Sequence, residues 1–276
     1  AEAWRGRMAE SVLVEQKVGA GGRLAIVALK DAPPDGQTLL LSPSSMFTIY
    51  PHAYRKLAYR PEVDVIPVAP LAHSTCGFGV GPMVPAAVKS LAQFVDWAKA
   101  NPGSAAYASP AAGAMPHFLG NQFERAAGIR LTHVPYRGAA PGMQDLMGGQ
   151  IASGCFSIGD FLPHLAAGRV RLLGVTDGKR SRFAPDAPTF EEQGFKGIDG
   201  VETYGLFLPA RTPTATVERI ADLVRAALRE SAVTEGLAKL GFEPLFLSPG
   251  DYARRLAKER EQWGPIVKAS GFSSDD

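Results

Sequence analysis

Two stretches of this sequence have the form of an anion anchor. Tyr107-Ala108-Ser109-Pro110-Ala111-Ala112-Gly113-Ala114 is a strand-like run that enters a loop of small residues just before Pro116. Backbone N–H groups at the start of a helix offer donors and a favourable dipole together, and small side chains let a ligand reach them. Ser109, Ala112, Gly113 and Ala114 are therefore candidate contacts, although an ordinary strand-to-helix turn has the same composition. His117 falls in the first turn of the helix that Pro116 opens, a position that suits ligand contact or a packed, capping role equally. Ser42, Ser44 and Ser45 close a second strand-like run, Thr38-Leu39-Leu40-Leu41. Ligands in open α/β sheets gather at the carboxyl ends of strands, so Ser44 and Ser45 are candidate hydroxyl donors, or simply turn serines.

Other chemistries find little support. None of His52, His73, His117, His133 and His164 has a partner at metal-ligand spacing, so no metal is expected. Cys76 and Cys155 show no CxxC spacing and lie in apolar, strand-like stretches, which fits two buried, unpaired thiols. So few cysteines also suit an exported bacterial protein that does not rely on disulfides. Gly19 to Gly22 lacks a following Lys-Ser or Lys-Thr and is not a phosphate loop; no cofactor is expected. An enzyme would need an activated nucleophile or an acid–base pair, and the sequence shows no GxSxG and no paired carboxylates in a loop; Cys155 is the residue that an enzymatic reading would test. The net charge of +2 and scattered Lys and Arg give no reason to expect nucleic acid. No apolar run reaches the roughly 20 residues that cross a bilayer, and no signal peptide opens the chain.

The elements that must position these residues alternate between strand and helix. Ala1 to Glu10 reads as the end of an amphipathic helix and Ser11 to Glu15 as a strand. Pro33-Pro34-Asp35-Gly36 is a turn, and residues 63–80 form a long strand-rich stretch. Ser90 with Gln93 three residues on is a capping box that opens a helix through Leu91, Phe94, Val95 and Ala98, which Asn101-Pro102-Gly103 stops. Strands are expected at residues 105–109, 131–135, 151–156, 170–176 and 203–208, with helices between them and two long helices after Thr212-Pro213 and Ser248-Pro249. Such alternation implies α/β sheets covered by helices on both faces.

Several segments, in order along essentially the whole chain, resemble the substrate-binding components of tripartite tricarboxylate transporters, the Bug family. They include Gly19-Ala20-Gly21-Gly22, Pro34-Asp35-Gly36-Gln37-Thr38-Leu39-Leu40, Tyr107-Ala108-Ser109-Pro110, His133-Val134-Pro135-Tyr136-Arg137-Gly138, Gly148-Gly149-Gln150, Leu173-Gly174-Val175-Thr176 and Pro185-Asp186-Ala187-Pro188-Thr189. The resemblance implies a two-lobe, periplasmic-binding-protein-like fold with a hinge of two crossing strands. Lobe one is expected over 1–103 and 206–276, lobe two over 104–205, and the crossing strands near Ala105–Ser109 and Tyr204–Pro209. It further implies a periplasmic solute-binding protein, acting as a monomer and without enzymatic activity, that captures a small carboxylate between its lobes and delivers it to integral-membrane transporter subunits. A signalling receptor on the same fold, or an enzyme on that scaffold, are the alternatives. Relatives begin with a strand and a Gly-rich loop upstream of the first helix, and neither is found in this chain. Many relatives carry Asp-Asn where Ser157 and Ile158 stand here, and small polar residues where Ala112 and Ala114 stand. Ser157 and Ile158 join the expected contacts, and the ligand is expected to be less polar than citrate or an amino acid.

Overall fold

The computed structural model describes residues 1–274, and the chain divides into two compact units, residues 1–73 with those from 203 onward, and residues 74–202. In order, the elements are α1 (Arg23–Lys30), β1 (Leu40–Pro43), α2 (Ser45–Thr48), α3 (Tyr50–Ala53), α4 (Pro61–Asp64), β2 (Val65–Val80) and α5 (Leu91–Ala100). There follow β3 (Ala106–Ser109), α6 (Met115–Ala127), β4 (Thr132–Pro135), α7 (Ala139–Met147), β5 (Ser153–Ser157), α8 (Ile158–Leu165) and β6 (Arg171–Val175). The chain ends with β7 (Val201–Pro209), α9 (Thr214–Ala227), α10 (Ser231–Lys239), β8 (Glu243–Pro244) and α11 (Pro249–Ser270).

In unit one, β7 lies between β1 and β2, and β8 adds to β2 at Ala72 and His73. Successive residues of a strand face opposite sides, so β7 is buried twice over. Leu206 and Leu208 pack with Val217, Ile220 and Val224 of α9, while Phe207 packs with Phe47, Tyr252 and Leu256. Trp4 and Met8 lie on the α9 side, with a short helical turn at Glu2–Trp4 in place of the expected helix end. The strand expected at Ser11–Glu15 does not form. Its residues pair with no strand among those described, and Leu13, Val14 and Val18 are exposed. This segment borders a cavity of about 1330 Å³ that Leu39 to Pro43 line from another side. β-forming residues make a strand only where a neighbour completes the backbone hydrogen bonds.

In unit two the order is β6–β2–β5–β3–β4, with β3 parallel to β4 and to β5, and β2 antiparallel to both β5 and β6. Phe78 of β2 meets Phe94 at 5.2 Å and Phe123 at 5.0 Å between ring centroids, both edge-on. Ala108, Met143, Leu146, Phe156 and Phe161 form another core cluster. The Ser90 cap is present: its Oγ accepts the Gln93 N–H at 3.2 Å, while the Gln93 side chain reaches back one residue further, to the Lys89 N–H.

The unit boundaries differ from the sequence expectation. The chain passes between units inside β2, at His73 and Ser74, and inside β7, at Glu202 and Thr203, not at residue 103 or within 105–109. Residues 74–103 belong to unit two because β2 beyond Thr75 pairs with β5 and β6 and because Phe94 of α5 packs on Phe78. β3 lies wholly inside unit two, paired on both edges. The Asn101-Pro102-Gly103 break ends α5 and nothing more.

Gly205 of β7 is a tight point in unit one. A Cβ there would stand 2.3 Å from the Tyr252 hydroxyl and 2.6 Å from its ring, and Tyr252 is fully buried. Gly205→Ala should cost unit one about 1–3 kcal/mol as an overpacked core, read as a lowered denaturation midpoint. An unchanged midpoint would mean that Tyr252 is free to move aside.

Candidate functional site

The strand order of unit two places a site before any side chain is considered. β3 leads through α6 to β4 on one side, and β4 leads through α7 to β5 on the other side of β3. The crevice between the carboxyl ends of β3 and β5 is thus a topological switch point, where open α/β sheets bind ligands. Helices α6, α7 and α8 each follow a strand of this parallel set, so their N-termini all lie toward that edge. Their partial positive charges favour an anion there.

On the β3 side, Ser109 is fully buried and ends the strand. Its Oγ lies 3.1 Å from the Ala111 carbonyl and 2.7 Å from Nε2 of His133 on β4. Gly113 takes φ +76°, the left-handed turn that glycine adopts without strain, and its N–H donates to Nδ1 of His117 at 3.1 Å. Ala114 is the N-cap of α6, and Pro116 in the first turn has no N–H to leave unsatisfied. The Tyr107 hydroxyl donates to the His117 carbonyl at 2.8 Å and ties the first turn of α6 to β3. The rings of His117 and His133 stack at 3.8 Å and 8°.

On the β5 side, Ser157 is the N-cap of α8 and its hydroxyl lies 2.7 Å from that of Ser74 on β2. The Ser157 N–H donates to the Asp160 carboxylate, which holds the start of the helix. Burial nevertheless raises the Asp160 carboxyl to about 6, since the ionised form loses its water. Ile158 is a correction to the sequence reading. Its side chain is fully buried against Val175, Ala184 and Ala187 and lines no site, so only its backbone N–H, the first of α8, can serve a ligand.

The remaining expected residues divide as follows. Ser109, Ala112, Gly113, Ala114, His117 and Ser157 all lie at the β3 and β5 ends of unit two. His117 is buried and turned to Gly113, which is the packed role that the sequence left open. Ser44 and Ser45 are in unit one, both buried, where the Ser44 N–H donates to Thr203 at 2.7 Å and the single-turn α2 begins. Sequence reasoning missed His133, Ser74 and Asp160. Only the parallel register that sets Tyr107 beside His133, and the antiparallel register that sets Cys76 beside Ser157, bring the first two to the site. The Ser157-x-x-Asp160 spacing is a capping signature that could have found the third. Among the described residues no cluster of three or more His, Cys, Asp or Glu could hold a metal, and no helix is long and apolar enough to cross a membrane.

Residues 1–272 match the family described as tripartite tricarboxylate transporter family receptor. A protein of Cupriavidus necator encoded in the gbd 5' region is 29% identical over 96% of this chain and 80% of its own length. BugT of Bordetella pertussis is 27% identical over 96% of this chain and 81% of its own. Among solved structures, the periplasmic binding protein BugD superposes with a TM-score of 0.91 at 28% identity, over 99% of this chain and 91% of BugD. The Rpa4515 protein of R. palustris, solved with adipate, gives 0.92 at 28% identity over 98% and 89%. MatC of Rhodopseudomonas palustris, solved with malate, gives 0.87 at 28% over 97% and 91%.

Burial depresses His117 to about 4, and burial with the facing His117 depresses His133 to about 3. An unfolded chain would protonate both near 6.5. Between pH 6.5 and about 4 the folded state therefore binds fewer protons than the unfolded state, and stability falls as pH falls. Asp160, raised to about 6, works in the opposite sense over part of this window. Comparison with His117→Asn isolates one ring. From pH 6.5 to 4.5 the variant should lose stability more slowly than the parent, by about 1 kcal/mol per pH unit, measured by urea denaturation. Equal slopes would show that His117 protonates freely in the folded chain.

Proposed function

This chain belongs to the tripartite tricarboxylate transporter receptor family, and on that premise we propose that it is a periplasmic receptor that captures a small carboxylate and passes it to a membrane transporter. The observation that carries the reading is the convergence of the α6, α7 and α8 N-termini on the β3/β5 switch point. Backbone donors there bind a carboxylate without a charged side chain. The Ile158 N–H and the Ser157 hydroxyl serve from α8. The Ser157 side chain is held in place by its 2.7 Å hydrogen bond with the Ser74 hydroxyl, which also donates to the Thr75 carbonyl at 3.3 Å. From α6 the donor is the Met115 N–H, which meets no acceptor among the described residues, and the Ala112–Ala114 turn shapes the approach to it.

Ligand polarity follows from what lines these donors. Ala112 and Ala114 offer methyl groups, and a polar ligand group buried against them unpaired would cost about 1–3 kcal/mol. Methylene groups gain about 25 cal/mol per Å² removed from water. Ile158 drops out of this argument because its side chain lies in the core. The relatives solved with adipate and with malate support a dicarboxylate of modest polarity. The family is one of binding proteins, and the residue that an enzyme reading would test is unsuited to it. Cys155 is fully buried, with its thiol pushed up to about 12, so almost no thiolate is present near neutral pH.

Titration calorimetry with adipate, malate, citrate, aspartate and benzoate tests the proposal. At least one of adipate, malate and benzoate should bind, at least tenfold tighter than citrate and aspartate. Ser157→Ala should weaken that binding about tenfold, near 1.4 kcal/mol, with little change in the denaturation midpoint. Absence of heat for every acid would sink the receptor reading, and a tighter fit for citrate or aspartate would sink the polarity argument.

A further inference from the structure

The loop from Ser109 to Ala114 is held by two imidazoles that arrive from different elements, His117 from α6 and His133 from β4. Counting protons constrains one nitrogen of each ring. The Ala111 carbonyl can only accept, so the 3.1 Å bond takes the single Ser109 hydroxyl proton. The 2.7 Å contact between Ser109 Oγ and His133 Nε2 then needs its proton on Nε2. The Gly113 N–H is a donor, so Nδ1 of His117 must be bare, and a neutral His117 carries its proton on Nε2. His117 is therefore neutral, and His133 carries a proton on Nε2, with burial beside His117 opposing a second one on Nδ1. A proton on Nδ1 of His117 would abolish the Gly113 bond, and two cationic rings stacked at 3.8 Å would repel.

Gly113, Ser109, Tyr107 and Phe118, which touch the pair, carry no charge. His117 meets Gly113, the Phe118 ring at 4.8 Å and His133; His133 meets Ser109, the Tyr107 ring at 5.0 Å and His117. Nothing among these contacts compensates a positive charge, in keeping with the depressed affinity of both rings for protons.

We propose that the stacked His117–His133 pair is the positioning device of the anchor loop, pinning Ser109 at its start and Gly113 at its end so that the α6 N-terminus is held open to the ligand carboxylate. The proposal rests on the receptor reading for its ligand. It recasts Ser109 and Gly113, whose donors are spent inside the loop, as shapers of the site, and it makes His117 and His133 act through them.

The test uses the full chain. Nitrogen-15 NMR of the histidine rings at pH 7 should show Nδ1 unprotonated and Nε2 protonated on both; a proton on Nδ1 of either ring overturns the proposal even if every variant fails to fold. His117→Leu and His133→Leu remove the bonds. His117→Asn places an acceptor oxygen near the old Nδ1, and His133→Gln places an amide donor near the old Nε2. The leucine variants should weaken binding of adipate, or of whichever acid binds best, at least tenfold and should speed amide exchange at Gly113 at least tenfold. The Asn and Gln variants should return both to within threefold of the parent. Leucine variants that bind and exchange like the parent, or polar variants as impaired as leucine, overturn it. If no acid binds the parent protein, the receptor reading fails, while the ring tautomers and the Gly113 exchange rates still decide the role of the pair.

Discussion

The parallel pairing of β3 with both β4 and β5 is the constraint on which the candidate site depends. Ala106 to Ser109 are matched with Thr132 to Pro135 on one edge, and Tyr107 and Ala108 with Ser153 and Gly154 on the other. Parallel strands need crossover connections, here helices, and each helix then begins at the same edge of the sheet. Because the chain fills one side of β3 before the other, the loops after β3 and β5 part and leave a crevice between them. A slip of one residue in the β3–β4 register would turn His133 to the opposite face and release Ser109.

The anion site proposed for unit two is accordingly made of neutral parts. The donors are backbone amides and hydroxyls, the supporting imidazoles are held neutral by burial, and the carboxyl of Asp160 is raised toward neutrality by the same cause. Burial strengthens each hydrogen bond and penalises each uncompensated charge. A carboxylate bound as proposed would meet oriented dipoles whose positions were fixed when the chain folded, so little reorganisation would be needed on binding.

Unit one shows the converse case, in which local sequence is not enough. β7 is covered on both faces and anchors its sheet, with Leu206 and Leu208 on one side and Phe207 on the other. Val12, Leu13 and Val14 have the composition of a strand, yet they lie beside an open cavity with no backbone ladder. Hydrogen-bond partners decide strands, and composition alone does not supply them.

The sequence by itself determined the alternation of elements, the Ser90 cap, the long β2, the small-residue loop before α6 and the buried, unpaired state of Cys76 and Cys155. These are local properties, read from period, capping chemistry and side-chain size. Motif order also carried the family. The tertiary structure alone decided what depends on register and crossing. It moved the unit boundary from residue 103 to within β2, because pairing with β5 and β6 claims that strand's second half. It turned the Ile158 side chain into the core and left only its N–H for a ligand, since a residue's face is set by the helix that it starts. It brought His133 to Ser109 across 24 residues and Ser74 to Ser157 across 83. No periodicity encodes contacts at such separations; they exist only once the strands have paired.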